Sequence, residues 1–310
     1  MAANLESMFY VREVPWHGLG TNVMEAPASE EALTLAGLNW NVMQKAIETE
    51  DGISIPGFKA NLRDTDEKVL GVVTDRYKVV QNTDAFSFTD GLLGEGVTYE
   101  TAGSLQDGRR IWLLARLPQR YIISGDEILP FLVFMNSHDG SSSIKAAMTP
   151  IRVVCNNTLN LALSTAKRYW STNHTGNISG KMEDARYTLL YANRYMAELG
   201  KTIDNLNRMK LSDRQVYEFI DLLFPMLENP TKQQKKNIMQ MKEEVKLRYF
   251  DAPDLKYIGK NAYRFVNAVS DFSNHTKPLR ERMNYKESLF ARTVDGNAMI
   301  DKAYELVRSA

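Results

Sequence analysis

Apolar and polar residues alternate with a period of two over residues 40–47, which predicts a half-buried strand. Apolar runs at 58–63 and 69–74 flank Asp64-Thr65-Asp66 and predict a hairpin. Ser29, followed by Glu30 and Glu31, marks a helix start over 32–36, with Ser29 as the cap. Asn82 and Thr83 predict a second helix over 84–93, ended by Gly94 and Gly96. Residues 97–104 and 109–117 are strand-like and joined by Gln106-Asp107-Gly108, in which Asp-Gly is a strong hairpin signal. Residues 128–135 are nearly all apolar, the pattern of a strand buried on both faces. A polar turn, Asn136-Ser137-His138-Asp139-Gly140-Ser141, leads to a fourth run at 144–154, and 156–166 has the apolar spacing of a helix.

From about residue 180 the period changes to 3.6. Helices are predicted over 182–206, from Ser212 to near Pro225, and over 231–249, 257–272 and 297–307. The polar stretch 171–180 has the composition of an exposed connection. The expected fold class is α+β: a mixed, largely antiparallel sheet domain with packing helices over 1–175, then an all-helical domain over 176–310.

Composition narrows this picture. The chain of 310 residues is 44% hydrophobic and 25% charged, so it can bury a core without staples. No apolar run is long enough to span a bilayer, and the first residues lack the basic segment of a signal peptide. A single cysteine, Cys155, cannot form an internal disulfide. The expectation is a soluble cytoplasmic protein with no membrane partner. Lys+Arg and Asp+Glu both total 38, but residues 1–150 hold 12 basic and 20 acidic residues, so the C-terminal half carries the positive balance.

Candidate chemistry is sparse. His17, His138, His174 and His275 show no metal-ligand spacing, and no glycine-rich phosphate loop is present, so no metal and no cofactor are expected. Cys155 sits where a strand feeds an expected helix. With His138 or His174 as base it would make a nucleophile, and without one it is a small core residue. Cations interleaved with planar rings suit single-stranded nucleic acid, whose phosphates need charge and whose bases need stacking partners. Arg109, Arg110 and Trp112 make one such group, and Lys167, Arg168, Tyr169 and Trp170 another. A third is Arg186, Tyr187, Tyr191, Arg194 and Tyr195, whose tyrosines at helical spacing also fit a packed stripe. Lys232, Lys235 and Lys236 lie at the end of a helix where its dipole disfavours them.

Several motifs resemble one family. They are Trp16-His17-Gly18-Leu19-Gly20, Gly71-Val72-Val73-Thr74-Asp75-Arg76-Tyr77 with Val80-Gln81-Asn82, and Tyr99-Glu100-Thr101-Ala102-Gly103-Ser104-Leu105. The polar turn 136–141, Thr149-Pro150-Ile151-Arg152-Val153-Val154-Cys155-Asn156-Asn157-Thr158-Leu159, and His174-Thr175 complete the set. Together they resemble the phage/plasmid-like proteins of domain-of-unknown-function family 932, which implies a bacterial mobile element and supplies no activity. The order of elements is also similar to the core of phage single-strand annealing proteins, which implies an oligomer that holds single-stranded DNA without a cofactor. That likeness places Arg109, Arg110, Lys145 and Arg152 on strands that meet phosphates. The expected function is therefore single-strand DNA binding and annealing by a homo-oligomer. Arg109, Arg110, Lys145, Arg152, Lys167 and Arg168 would face phosphates, and Trp112, Tyr169 and Trp170 would stack. Two alternatives stand beside it: a module that binds a phage or host protein through the loops at 15–20 and 136–141, and a hydrolase or nuclease around Cys155, His138 and Asp139.

Overall fold

The structure, a computed structural model, describes residues 5–12, 20–94, 97–117, 119–152, 157–158, 169–190, 192–276 and 297–309. Their fold is α+β. In chain order the elements are β1 (Leu5–Val11), β2 (Thr21–Val23), α1 (Ser29–Leu35), β3 (Val42–Glu48), β4 (Ser54–Arg63), β5 (Val69–Thr74) and α2 (Asn82–Leu93). Then come β6 (Thr98–Leu105), β7 (Arg110–Arg116), β8 (Tyr121–Ile123), β9 (Asp126–Ser137), β10 (Ile144–Arg152), β11 (Asn157–Thr158) and β12 (Tyr169–Thr172). Six helices complete the order: α3 (Ile178–Leu190), α4 (Ala192–Arg208), α5 (Asp213–Leu223), α6 (Lys232–Asp251), α7 (Ala262–His275) and α8 (Ala298–Arg308).

The chain forms two compact units, one of residues 1–119, 130–148 and 168–192, the other of 120–129, 149–167 and 193–310. In the first unit the strands run in the order β2-β1-β6-β7-β9-β10, with β12 also on β10. β1 and β2 are parallel, whereas β1–β6, β6–β7, β7–β9 and β10–β12 are antiparallel. The β6–β7 hairpin turns through Gln106, Asp107 and Gly108, at φ of 54°, 60° and 84°. Left-handed backbone favours Asp and Gly, which explains the strength of the local signal. Phe9, Ala102, Ile111, Leu113, Phe134 and Ile144 point to one face of this sheet, where buried residues of α1, α2 and α3 complete the core. A second sheet in the same unit, β3-β4-β5, is antiparallel throughout.

The second unit is mostly helical. α7 is buried along its length, with Tyr263, Phe265, Val266, Val269 and Phe272 in its core. α6 and α8 pack against it. Ser212 and Thr231 close capping boxes with Gln215 and Gln234, as their spacing predicts. At the start of β9, buried Asp126 accepts hydrogen bonds from the phenols of Tyr257 and Tyr263.

Five local expectations change. Residues 171–180 are mostly exposed but do not link the two units: they lie within the first and hold the end of β12, a buried His174 and the start of α3. Asn157 and Thr158, expected in a helix, form β11 against Ile151 and Arg152, and the remainder of 156–166 lies outside the described residues. The stretch 182–206 divides between α3 and α4. The helix expected from 257 begins at Ala262, because Asn261 Oδ1 accepts from Arg264 N at 2.9 Å and fixes the cap there. Ser29 does not cap α1, since its hydroxyl donates to the Asp90 carboxylate and Ala28 takes the cap position.

Candidate functional site: a buried imidazole pair and a basic strand end

The turn that leaves β9 is held by groups distant in sequence. Asn61 Nδ2 donates to the His138 carbonyl at 2.6 Å, and the Tyr77 hydroxyl donates to the Ser137 carbonyl at 2.5 Å. His138 N donates to Arg109 O at 2.7 Å, and Asn136 Nδ2 to Val80 O at 3.0 Å. Gly71 of β5 lies so close that a Cβ there would sit 2.6 Å from the Asp139 Cα. Backbone on the receiving side cannot swing away as a side-chain tip does. We expect Gly71→Ala to destabilise the protein by about 1–3 kcal/mol, read as a fall in the urea midpoint. An unchanged midpoint would show that the turn yields freely.

Two imidazoles lie inside this framework. His138 is 0% exposed and meets Trp40 edge-on, with ring centroids 5.3 Å apart. His174 is 5% exposed and stacks on Tyr77, with centroids 4.5 Å apart and planes 14° apart. The backbone N of Lys78 donates to His174 O at 2.8 Å, so His174 is tied to the β5–α2 connection by main chain and by ring.

Hydrogen bonding fixes both tautomers. Asn82 Nδ2 donates to Leu38 O and Trp40 O, which leaves Asn82 Oδ1 to accept from His138 Nε2 at 3.0 Å. His138 therefore carries its proton on Nε2. Lys78 O can only accept, so His174 carries its proton on Nδ1, 3.0 Å away. The other ring nitrogens, His138 Nδ1 and His174 Nε2, are bare lone pairs with no hydrogen-bond partner among the described residues, as is Asn136 Oδ1. Burial lowers the pKa of His138 to about 3, with neighbouring His174 acting in the same direction and Asp139 opposing. Burial also lowers that of His174, against the opposing pull of the Lys78 carbonyl and Asp139. Two neutral imidazoles buried to this degree are proton and hydrogen-bond acceptors shielded from large substrates. Among the described residues no three His, Cys, Asp or Glu are arranged to hold a metal ion. Asp139 Oδ1 accepts from Ser141 N at 2.9 Å, and the carboxylate's charge acts on both rings.

The expected cationic and aromatic residues divide between the faces of the large sheet. In β7, Ile111 and Leu113 face the core, so Arg110 and Trp112 face the other way. In β10 and β12, Ala146 and its partner Trp170 face the core, so Lys145, Tyr169 and Ser171 share the face of Arg110. Arg110 Nε and Nη2 lie 3.3 and 3.1 Å from Ser141 Oγ, and Ser143 and Ser171 hydroxyls pair at 2.8 Å. Arg109 is exposed in the adjoining turn. Tyr169 is 51% exposed, whereas Trp112 is 7% exposed and Trp170 is packed against the core. The side chains of Arg152, Lys167 and Arg168, together with Cys155 and His17, lie outside the described residues. Tyr195, from the third cation–aromatic group, is fully buried.

Sequence reasoning singled out His138 and His174 but placed both in exposed polar loops. It missed Trp40, Asn61, Tyr77, Lys78 and Asn82 as their partners. Three of the motifs that carried the family resemblance, 71–82, 136–141 and 174–175, nevertheless converge on this one framework, and that recurrence was the signal available.

Fold and framework together define an α+β protein in which two sheets of one unit meet over a neutral imidazole pair. The chain belongs to the family whose model is described as Domain of unknown function (DUF932), which matches residues 69–304 and so takes in both histidines. No curated protein and no solved structure matches the chain. Among the described residues no helix is long and apolar enough to cross a membrane.

Proposed function

We propose that this protein binds single-stranded DNA and promotes strand annealing, without a cofactor, in a phage or other mobile element. The observation that carries the reading is the shared face of Arg110, Lys145 and Tyr169, set among the hydroxyls of Ser141, Ser143 and Ser171. Arginine and lysine there follow phosphates, serine hydroxyls add neutral contacts to phosphate oxygens, and the exposed Tyr169 ring gives a base a stacking surface. Arg109, in the adjoining turn, extends the cationic strip. The complete burial of His138, and its Nε2 bond to Asn82, favour a structural role for that ring over a hydrolytic one.

Fluorescence anisotropy with a labelled single-stranded oligonucleotide, a duplex control and a salt titration tests this. Tyr169→Ala is expected to weaken single-strand binding by 1–3 kcal/mol, roughly 5- to 150-fold. Replacing Arg109 and Arg110 together by alanine is expected to flatten the log–log salt slope by about 1.4, the loss of two phosphate contacts. Unchanged affinity and slope in these variants, or no binding by the natural protein at low salt, would overturn the reading.

A further inference from the structure

The outer face of the β3-β4-β5 sheet is largely apolar, with Met43, Phe58, Val69 and Val72 exposed on it and Leu62 buried. The register sets Met43 opposite Leu62, Leu62 opposite Val69, Ala60 opposite Val72, and Phe58 opposite Thr74, so these side chains share one face. The opposite face carries Asn61 and Gly71, which meet the His138–Asp139 turn. Along the outer face Phe58 is 48%, Val69 52% and Val72 58% exposed, with Ile53 and Ile55 at the hairpin end also exposed. A half-buried sheet ordinarily turns polar residues to water on that side.

We infer that this face is a docking surface for a second copy of the same chain, packed sheet against sheet. The inference stands apart from the nucleic-acid reading, because neither Arg110, Lys145 nor Tyr169 lies on this sheet. Size favours it: the exposed apolar side chains offer on the order of 500 Å² of apolar surface, close to the apolar share of one partner's half of a standard interface. Apolar patches of that size on a folded chain are often functional. Charge favours a like partner over a polyanion. Lys45 on this face is already paired with Glu67 at 2.9 Å, and Lys68 at its margin with Asp107 at 3.2 Å. A two-fold axis through an apolar centre with a balanced rim is the self-complementary arrangement that closed dimers use. Two such sheets stack about 10 Å apart.

Light scattering coupled to gel filtration, across a dilution series, tests the inference on the full chain. The natural protein is expected at dimer mass, falling toward monomer on dilution, and Val72→Lys and Phe58→Glu at monomer mass throughout. Both positions are about half exposed, so the melting curves of the variants should match the natural protein at equal monomer occupancy. A natural protein that runs as a monomer at every concentration would overturn the inference, and so would variants that keep the natural mass. If either charged variant fails to fold, Val72→Ser and Phe58→Ser supply the second measurement: both are expected to dissociate at higher concentration than the natural protein, and an unchanged dissociation profile would overturn the inference.

Discussion

Replacing Arg264 with alanine is expected to unfold the helical unit at temperatures where the natural protein is native, because three main-chain carbonyls lose their donor together. Arg264 lies in the first turn of α7 and is buried. Its Nε donates to Tyr249 O at 2.6 Å, Nη2 to Phe250 O at 3.1 Å and Nη1 to Ile258 O at 3.1 Å. The first two carbonyls are at the C-terminal end of α6, where helical bonding has run out, so the guanidinium closes that helix from outside. It also lies over the Tyr249 ring, 5.3 Å from the centroid. Burial pushes the Tyr249 phenol up to about 12 even though the nearby guanidinium opposes the shift. Each buried carbonyl left bare costs about 1–3 kcal/mol, so the expected loss for Arg264→Ala is about 3–9 kcal/mol, comparable with the whole stability of many domains. Arg264→Lys should recover little of it, since an ammonium cannot present a planar fork to three carbonyls. Thermal unfolding followed by circular dichroism measures both variants. A melting temperature for Arg264→Ala within a degree or two of the natural protein would show that the carbonyls find other donors.

What was legible in the sequence is local. Gln106-Asp107-Gly108 identifies its hairpin because the left-handed turn conformation selects those residue types directly. Ser212 and Thr231 identify helix starts because cap and partner lie three residues apart. The apolar run of β9 reports burial on both faces. What was illegible depends on groups that meet only after folding. Polarity at 171–180 reads as exposure, yet His174 is buried because the Lys78 main chain and the Tyr77 ring satisfy it from nearly a hundred residues away. His138 reads as a turn residue until Asn82, Asn61 and Trp40 surround it. Ser29 has the right neighbours for a cap, but a carboxylate 61 residues away takes its hydroxyl. The basic residues were recognisable by type. Which of their neighbouring rings stays in solvent was not, because strand parity alone decides that Tyr169 turns out and Trp170 turns in.

Acid should weaken the first unit well above the pH at which its carboxylates protonate. In the unfolded chain His138 titrates near 6.5, and in the folded protein burial holds it neutral down to about 3. Between those values the unfolded state binds a proton that the native state refuses, so stability is full above about pH 6.5 and declines as pH falls toward 3. The decline amounts to about 2 kcal/mol by pH 5 and on the order of 4 kcal/mol by pH 3 from this ring alone. His174, lowered in the same direction, steepens it. Asp139 faces both rings and Tyr77. Its charge opposes the lowering of both imidazoles but is outweighed by their burial. Urea unfolding from pH 7.5 to 4.5 measures the slope, and His138→Gln separates this ring from the rest: the amide can still donate to Asn82 Oδ1 but cannot titrate. The variant is expected to be less stable at neutral pH and to lose stability more slowly on acidification. Parallel curves for the two proteins would place the acid response elsewhere. A ring nitrogen signal of His138 that titrates near 6.5 in the folded protein would show the imidazole open to solvent, against the bonds to Asn82 and the Trp40 ring that enclose it.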